Sequence, residues 1–350
     1  MKLQLDLNNF EGCPEYNQWL DERHLEQAGP LDILGFQPPP SLVLFSLSQD
    51  TYQAAFDDFR REREEELKEL VFREFPTPIA HYYYRFENGY ENELQRLHLL
   101  RDTWEATIDV LHAIVVSECR FRAIKLVDPI IFRDLLTDSV AQRLLNMERI
   151  VTQCAKDGQD LRSATIVSMS TLLAMRELNQ SRNGFAHSAA QSESQAQTWI
   201  GECYGDVMGV LDDLRSLADV KVVRHMSQLD PRTLRCEVFR GYGFTKTINN
   251  LPLTDHQVQE SQAHFRQGQI LAFVGDIIFS VRPLIYSHED PSGHSTKLCM
   301  FRRTRGDGPS RRVEYEVVGD AVRLDEDRAL FRPDIDELRA LFNLPADSGT

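Results

Sequence analysis

Two long segments, 161–181 and 192–218, carry apolar residues at helical spacing and are separated by only ten residues. Ile166, Met169, Leu173 and Met175 mark the apolar side of the first. Trp199, Ile200, Val207, Val210, Leu211, Leu214 and Leu217 mark the second. Each segment hides one stripe, so the pair must pack against further helices. A third is at hand over 90–125, where Leu94, Leu97, Trp104, Ile108, Leu111 and Val115 recur at spacings of three, four or seven. Short helices through 154 and the turn Asp157-Gly158-Gln159-Asp160 lead into the first of the pair. The expectation is a helical bundle of four or more members.

The joint between the paired helices reads Arg182-Asn183-Gly184-Phe185-Ala186-His187. On an unbroken helix, positions five apart lie about 140° apart around the axis, so Arg182 and His187 would not share a face. They converge if the helix breaks at Asn183-Gly184, or if two copies of the chain meet.

This pattern resembles the signature of the HEPN superfamily: Arg, four to six residues, then His, with a polar residue often following the Arg. Chance yields about 0.9 Arg-x4-His matches in a chain of this composition, and about 0.03 once Asn beside the Arg is required. Arg282…His288 fits a looser Arg-x5-His spacing but lies in a strand-like run. The resemblance spans roughly 85–225. It implies a bundle that dimerises about a two-fold axis, with two Arg–His pairs forming one composite site. It also implies a polar or acidic contributor from the first helix, for which Glu105 is the candidate. Arg101 sits on the apolar stripe between Leu97 and Trp104, and a plain Arg101–Glu105 pair is the other use of that carboxylate. Asp102, Asp109 and His112 run beside the stripe and are expected to be solvated. Where nucleotidylated HEPN toxins carry Tyr two residues after the His, this chain has Ala189.

The chemistry suits RNA cleavage without a metal. Imidazole is matched to proton transfer near neutrality. Guanidinium stays charged and grips phosphate oxygens as negative charge develops, and Asn183 can orient the His or bind phosphate. Two His from two protomers supply acid and base, giving a 2′,3′-cyclic phosphate and a 5′-hydroxyl. The expected reading is thus an endoribonuclease acting on tRNA or mRNA as a homodimer, with Arg182, Asn183, His187 and Glu105 as its site. No cofactor and no metal are expected. The resemblance places such an enzyme among toxins and antiviral or stress-response effectors. The other reading is a non-catalytic interaction module, in which Arg182 and His187 fix a helix corner and the β-rich domain binds a protein or RNA partner.

The flanks differ in character. Over 1–84 a small mixed α/β lead-in is expected, with strands at Leu3–Leu7 and Ser41–Leu47 around Pro38-Pro39-Pro40. A charged helix follows over 51–73, its mixed run 60–66 suited to i,i+4 pairs. His81-Tyr82-Tyr83-Tyr84 is expected to pack a hinge. From 225 to 350, strand-like runs at 234–239, 269–274, 277–285, 298–303 and 313–318 and a helix at 334–342 predict a mostly antiparallel β domain. With the bundle over 85–224, the fold class is α+β. Arg240-Gly241-Tyr242-Gly243-Phe244 matches the start of an RNA-recognition RNP1 sequence without its βαβ context, and reads as a bulge. Arg302, Arg303, Arg305, Arg311 and Arg312 surround one Asp on a hairpin tip, a basic feature able to grip phosphates. It stands out in a chain of net charge −15, whose balance disfavours indiscriminate nucleic-acid binding. His288-Glu289-Asp290…His294 reads as a turn before it reads as a metal loop. Six scattered Cys without any CxxC pair argue for reduced, buried thiols. No signal peptide and no membrane span are expected, and the compartment is the cytoplasm.

Overall fold

The structure, a computed structural model, describes residues 5–33, 35–127, 137–187, 192–261, 265–289, 296–305, 312–320 and 322–344, with the side chains at 181–187, 260–261 and 328 outside the description. The chain divides into two compact units, Met1–Glu69 and Leu70–Thr350.

The first unit contains helices α1 (Pro14–Ala28) and α2 (Pro40–Leu47) and most of α3 (Gln49–Glu74). An aromatic cluster of Tyr16, Tyr52, Phe56 and Phe59 forms its core. The Tyr16 hydroxyl donates to the Tyr52 carbonyl, and the Tyr52 hydroxyl to Asn17 Oδ1, so both buried phenols are satisfied. The strand expected at 41–47 is a helix. Pro40 occupies its first turn, where the missing N–H costs nothing and the fixed φ is helical. Asp21 Oδ1 accepts from the Ser41 N–H at 2.8 Å, satisfying one free donor of that turn. A short apolar run does not by itself distinguish strand from buried helix. Residues 5–7 also form no strand. The charged helix is present, with pairs such as Lys68–Glu64 at 3.1 Å along it.

The second unit holds both the helical bundle and the sheets. Helix α5 (Glu93–Phe121) is its centre, started by Asn92, whose side chain accepts from the Gln95 N–H. Every residue from Ala106 to Cys119 is buried, as for a helix enclosed all round. α4 (Thr77–Asn88), α6 (Val140–Lys156) and α8 (Glu193–Asp213) pack on α5, while α7 (Met169–His187) packs on α6 and α8. Glu118, fully buried on α5, accepts from the N–H groups of Arg162 and Ser163, each at 2.7 Å, and fixes the lead into α7. The turn at Gly158 has the left-handed φ of 67° that glycine permits.

Among the described residues nine strands follow: β1 (Lys221–Asp230), β2 (Thr233–Phe239), β3 (Thr247–Pro252), β4 (Ile270–Val274), β5 (Ile277–Ser280), β6 (Ile285–Glu289), β7 (Thr296–Arg305), β8 (Arg312–Val317) and β9 (Arg323–Asp327). They form two antiparallel sheets, ordered β3-β2-β1-β4-β5 and β6-β7-β8-β9. Helices α9 (Asp255–Ser261) and α10 (Arg332–Leu341) complete the unit. The α+β class stands, with a C-terminal β region. The single run expected at 277–285 is two strands in different sheets, β5 and β6.

Arg240–Phe244 docks on helix ends. The Gly241 N–H donates to Phe75 O at 2.8 Å and the Tyr242 N–H to Phe72 O at 2.9 Å. Tyr242 stacks on Tyr84 with centroids 3.8 Å apart, and Phe244 lies against His81. The tyrosine run on α4 therefore packs, as expected. Gly241 has φ 74°, and a Cβ there would lie 3.0 Å from two main-chain oxygens, Phe72 O and Arg73 O. Gly241→Ala therefore combines left-handed strain with a clash that no side chain can relieve. Urea unfolding is expected to show a loss of about 2 kcal/mol or more; a change within 0.5 kcal/mol, on the order of an ordinary surface substitution, refutes this docking.

Candidate functional site

Helix α7 carries the Arg–His motif and does not break at Asn183-Gly184; it is continuous from Met169 to His187. Glycine inside a helix costs about 1 kcal/mol relative to alanine, less than the packing of α7 on two neighbours supplies. Thr171, Leu172, Met175, Leu178 and Asn179 form its buried row, and Ala174, Glu177 and Gln180 face outward. Leu173, expected on the apolar side, is 40% exposed. On this unbroken helix, positions 182 and 187 lie about 140° apart around the axis of one chain.

Glu105, with Tyr82, Asp102, Asp109, Arg302 and Glu316, lines a small polar cleft between α5 and β7–β8. Arg101 binds Asp102 at 2.8 Å and lies 3.8 Å from Glu105, so the local ion pair exists with Asp102 as the tighter partner. Asp109 and His112, expected to be solvated, are 5% and 2% exposed. Asp109 receives two guanidinium groups, Arg143 from α6 and Arg302 from β7, the latter at 2.8 Å. Arg143 also donates to Phe301 O at 3.0 Å, and Arg302 to Glu316 at 2.9 Å. Burial opposes the charge of Arg302, but the carboxylates of Asp109 and Glu316 outweigh it and raise its pKa. Burial, with the Arg143 charge adding, pushes the His112 imidazole down to about 3, so this ring is neutral. The result is a buried ionic lock between bundle and sheet.

Arg302 is thereby removed from the basic tip. With Met300 it lines the cleft on α5, at an irregularity of register between Phe301 and Arg303, and because β7 is buried on both faces from Leu298 to Arg302 no alternation in the sequence marks it. Arg303 and Arg305, with Arg323 from β9, converge on the buried carboxylate of Glu314; the Arg303–Glu314 distance is 3.4 Å. Burial raises the Glu314 pKa, but the hydrogen bond from Arg323 and the three cations bring it below the usual value. Arg303 and Arg305 bind Glu314 through Nε and remain half-exposed. Arg312 is exposed on β8, facing Arg305 and Asp327 in register, and Arg311 lies outside the described residues. Glu314 and Arg323 were missed from the sequence because nothing local links them to the arginine run.

Among the described residues no three His, Cys, Asp or Glu side chains group as a metal site. Asp290 and His294 of the possible metal loop lie outside the described residues. All six Cys are free and buried. No described helix is long and apolar enough to cross a membrane. Compared with known proteins, the chain matches no family model, no curated protein and no solved structure.

Proposed function

We propose that the chain is a metal-independent endoribonuclease of HEPN type, acting as a homodimer through Arg182, Asn183 and His187. What carries the reading is the motif at the end of an unbroken helix within an all-antiparallel-sheet-backed bundle, followed after 188–192 by the capped helix α8. An unbroken helix keeps Arg182 and His187 apart in one chain, so a two-fold pairing of α7 ends is what unites them. There one imidazole takes the 2′-hydroxyl proton, the other protonates the departing 5′-oxygen, and the guanidinium groups hold the phosphate. A cytoplasmic toxin or antiviral effector acting on tRNA or mRNA is the setting this chemistry suits.

The test is cleavage of labelled tRNA and single-stranded RNA in EDTA by purified protein, with Arg182→Ala and His187→Ala alongside. Products ending in cyclic phosphate, lost in both folded variants, support the reading. Cleavage that survives in both refutes the site, and a wild type inert on every RNA favours the interaction module. Glu105, the acidic contributor from the first helix that the resemblance implies, lines the cleft beside Asp102, Asp109 and Arg302, with Arg101 3.8 Å away.

Substrate grip belongs to Arg303 and Arg305, held by Glu314 through Nε and half-exposed. Replacing both with Ala is expected to lower the salt slope of single-stranded RNA binding by about 1.4, two contacts at about 0.7 each. Filter binding across a salt series measures it, and an unchanged slope removes these arginines from the interface.

A further inference from the structure

A cavity of about 330 Å³ lies between the C-terminal part of α5, the segment before β4, strand β5 and helix α10, a size that accommodates small molecules. Part of its wall is apolar, from Phe121, Phe265, Ile278, Phe279 and Leu341, with the Phe121 and Phe279 rings 6.0 Å apart, and the rest is polar or charged. The acids at its edge are already engaged. Asp334 and Glu337 lie 3.8 and 3.7 Å from Arg120, and Asp334 also 3.4 Å from Arg282. Arg120 is in turn fixed by the carbonyls of Ser280, at 2.6 Å, and Arg282. Two lining cations remain. Lys125 donates to the main-chain Ala340 O at 2.7 Å, and Arg266 is exposed. Neither has a carboxylate partner among the described residues. An apolar recess with uncompensated positive charge selects an apolar body bearing negative charge, because each part replaces water at a surface that complements it.

We propose that this cavity binds a small apolar anion, an aromatic or short aliphatic body carrying one acidic group. The body lies against the phenylalanines, and the acid is drawn to Lys125 and Arg266. The site is independent of the ribonuclease reading.

The test is calorimetric titration of the full chain with 8-anilinonaphthalene-1-sulfonate and with its uncharged analogue N-phenyl-1-naphthylamine. One equivalent of the sulfonate is expected to bind, and the uncharged analogue about tenfold more weakly or worse. Arg266→Ala and Lys125→Ala should each weaken the sulfonate by about tenfold, the scale of a charged hydrogen bond. Ala340→Phe, on an exposed position of α10, should obstruct the cavity and abolish binding while circular dichroism and the unfolding midpoint stay unchanged. Absence of binding, binding unaffected by Ala340→Phe, or equal affinity for the uncharged analogue overturns the proposal.

Discussion

Nine parts of His187→Ala protein mixed with one part of wild type, after subunit exchange, are expected to cut RNA cleavage to about one-hundredth of the all-wild-type rate at equal total protein. If each protomer worked alone, the rate would fall only to about one-tenth, the fraction of intact chains. The difference arises because in an in-line displacement the attacking 2′-oxygen and the departing 5′-oxygen lie on opposite sides of the phosphorus, so a site built across the dimer uses one copy of His187 on each. The geometry behind this is the continuity of α7 to His187, which leaves Arg182 and His187 about 140° apart around one axis. Homodimers of the variant should be slower than wild type by about 10²- to 10⁴-fold, the usual contribution of a general acid or base. Activity that falls in proportion to the wild-type fraction would eliminate the composite site. It would leave single-chain catalysis as the surviving form of the ribonuclease reading.

Asp109→Ala is expected to cost about 3–5 kcal/mol in urea unfolding, more than any other single change considered. The carboxylate is 5% exposed and neutralises both Arg143 and Arg302, which are themselves 3% and 6% exposed. Removing it leaves two buried guanidinium groups with weaker compensation, Asp138 3.8 Å from Arg143 and the half-buried Glu316 on Arg302. A surface pair gives the contrast: Arg101, 40% exposed in its side chain, should lose under about 1 kcal/mol on replacement by Ala. A second variant separates charge from shape. Replacing Asp109, Arg143 and Arg302 together with Leu, Met and Met should recover much of the loss, since apolar substitutes for a buried ionic cluster are often tolerated. An Asp109→Ala protein within about 1 kcal/mol of wild type would show that water reaches the lock and that it does not hold the bundle to the sheet.

Much of the helical framework was legible. The stripe from Trp104 through Ile108 and Leu111 to Val115 is buried as its spacing required, and the paired segments around the motif are α-helices over Met169–His187 and Glu193–Asp213, the first starting eight residues later than expected. The polar side of α5 was not legible. Asp109 and His112 look solvated because a single segment cannot reveal that sheets close over its far side. Edge strands escaped for a related reason. β3 and β9 are mostly exposed and rich in Asn, Asp, Glu and Arg, so they carry no apolar alternation to read. The strand reading of 41–47 failed where propensity and periodicity were both silent and local capping decided.

What the sequence by itself determined is the order of helices then strands, the absence of paired cysteines, and the Arg182-Asn183…His187 pattern with the chemistry its side chains permit. These rest on side-chain identity and on spacing within one segment. The tertiary structure decided which charges are free to act. It kept α7 helical through Gly184, moved Arg302 from a basic tip to a partner 193 residues away, and gathered Arg303, Arg305 and Arg323 on Glu314. Apolar periodicity records which faces must leave water, whereas a charge is fixed only when a distant element brings the counter-charge within reach.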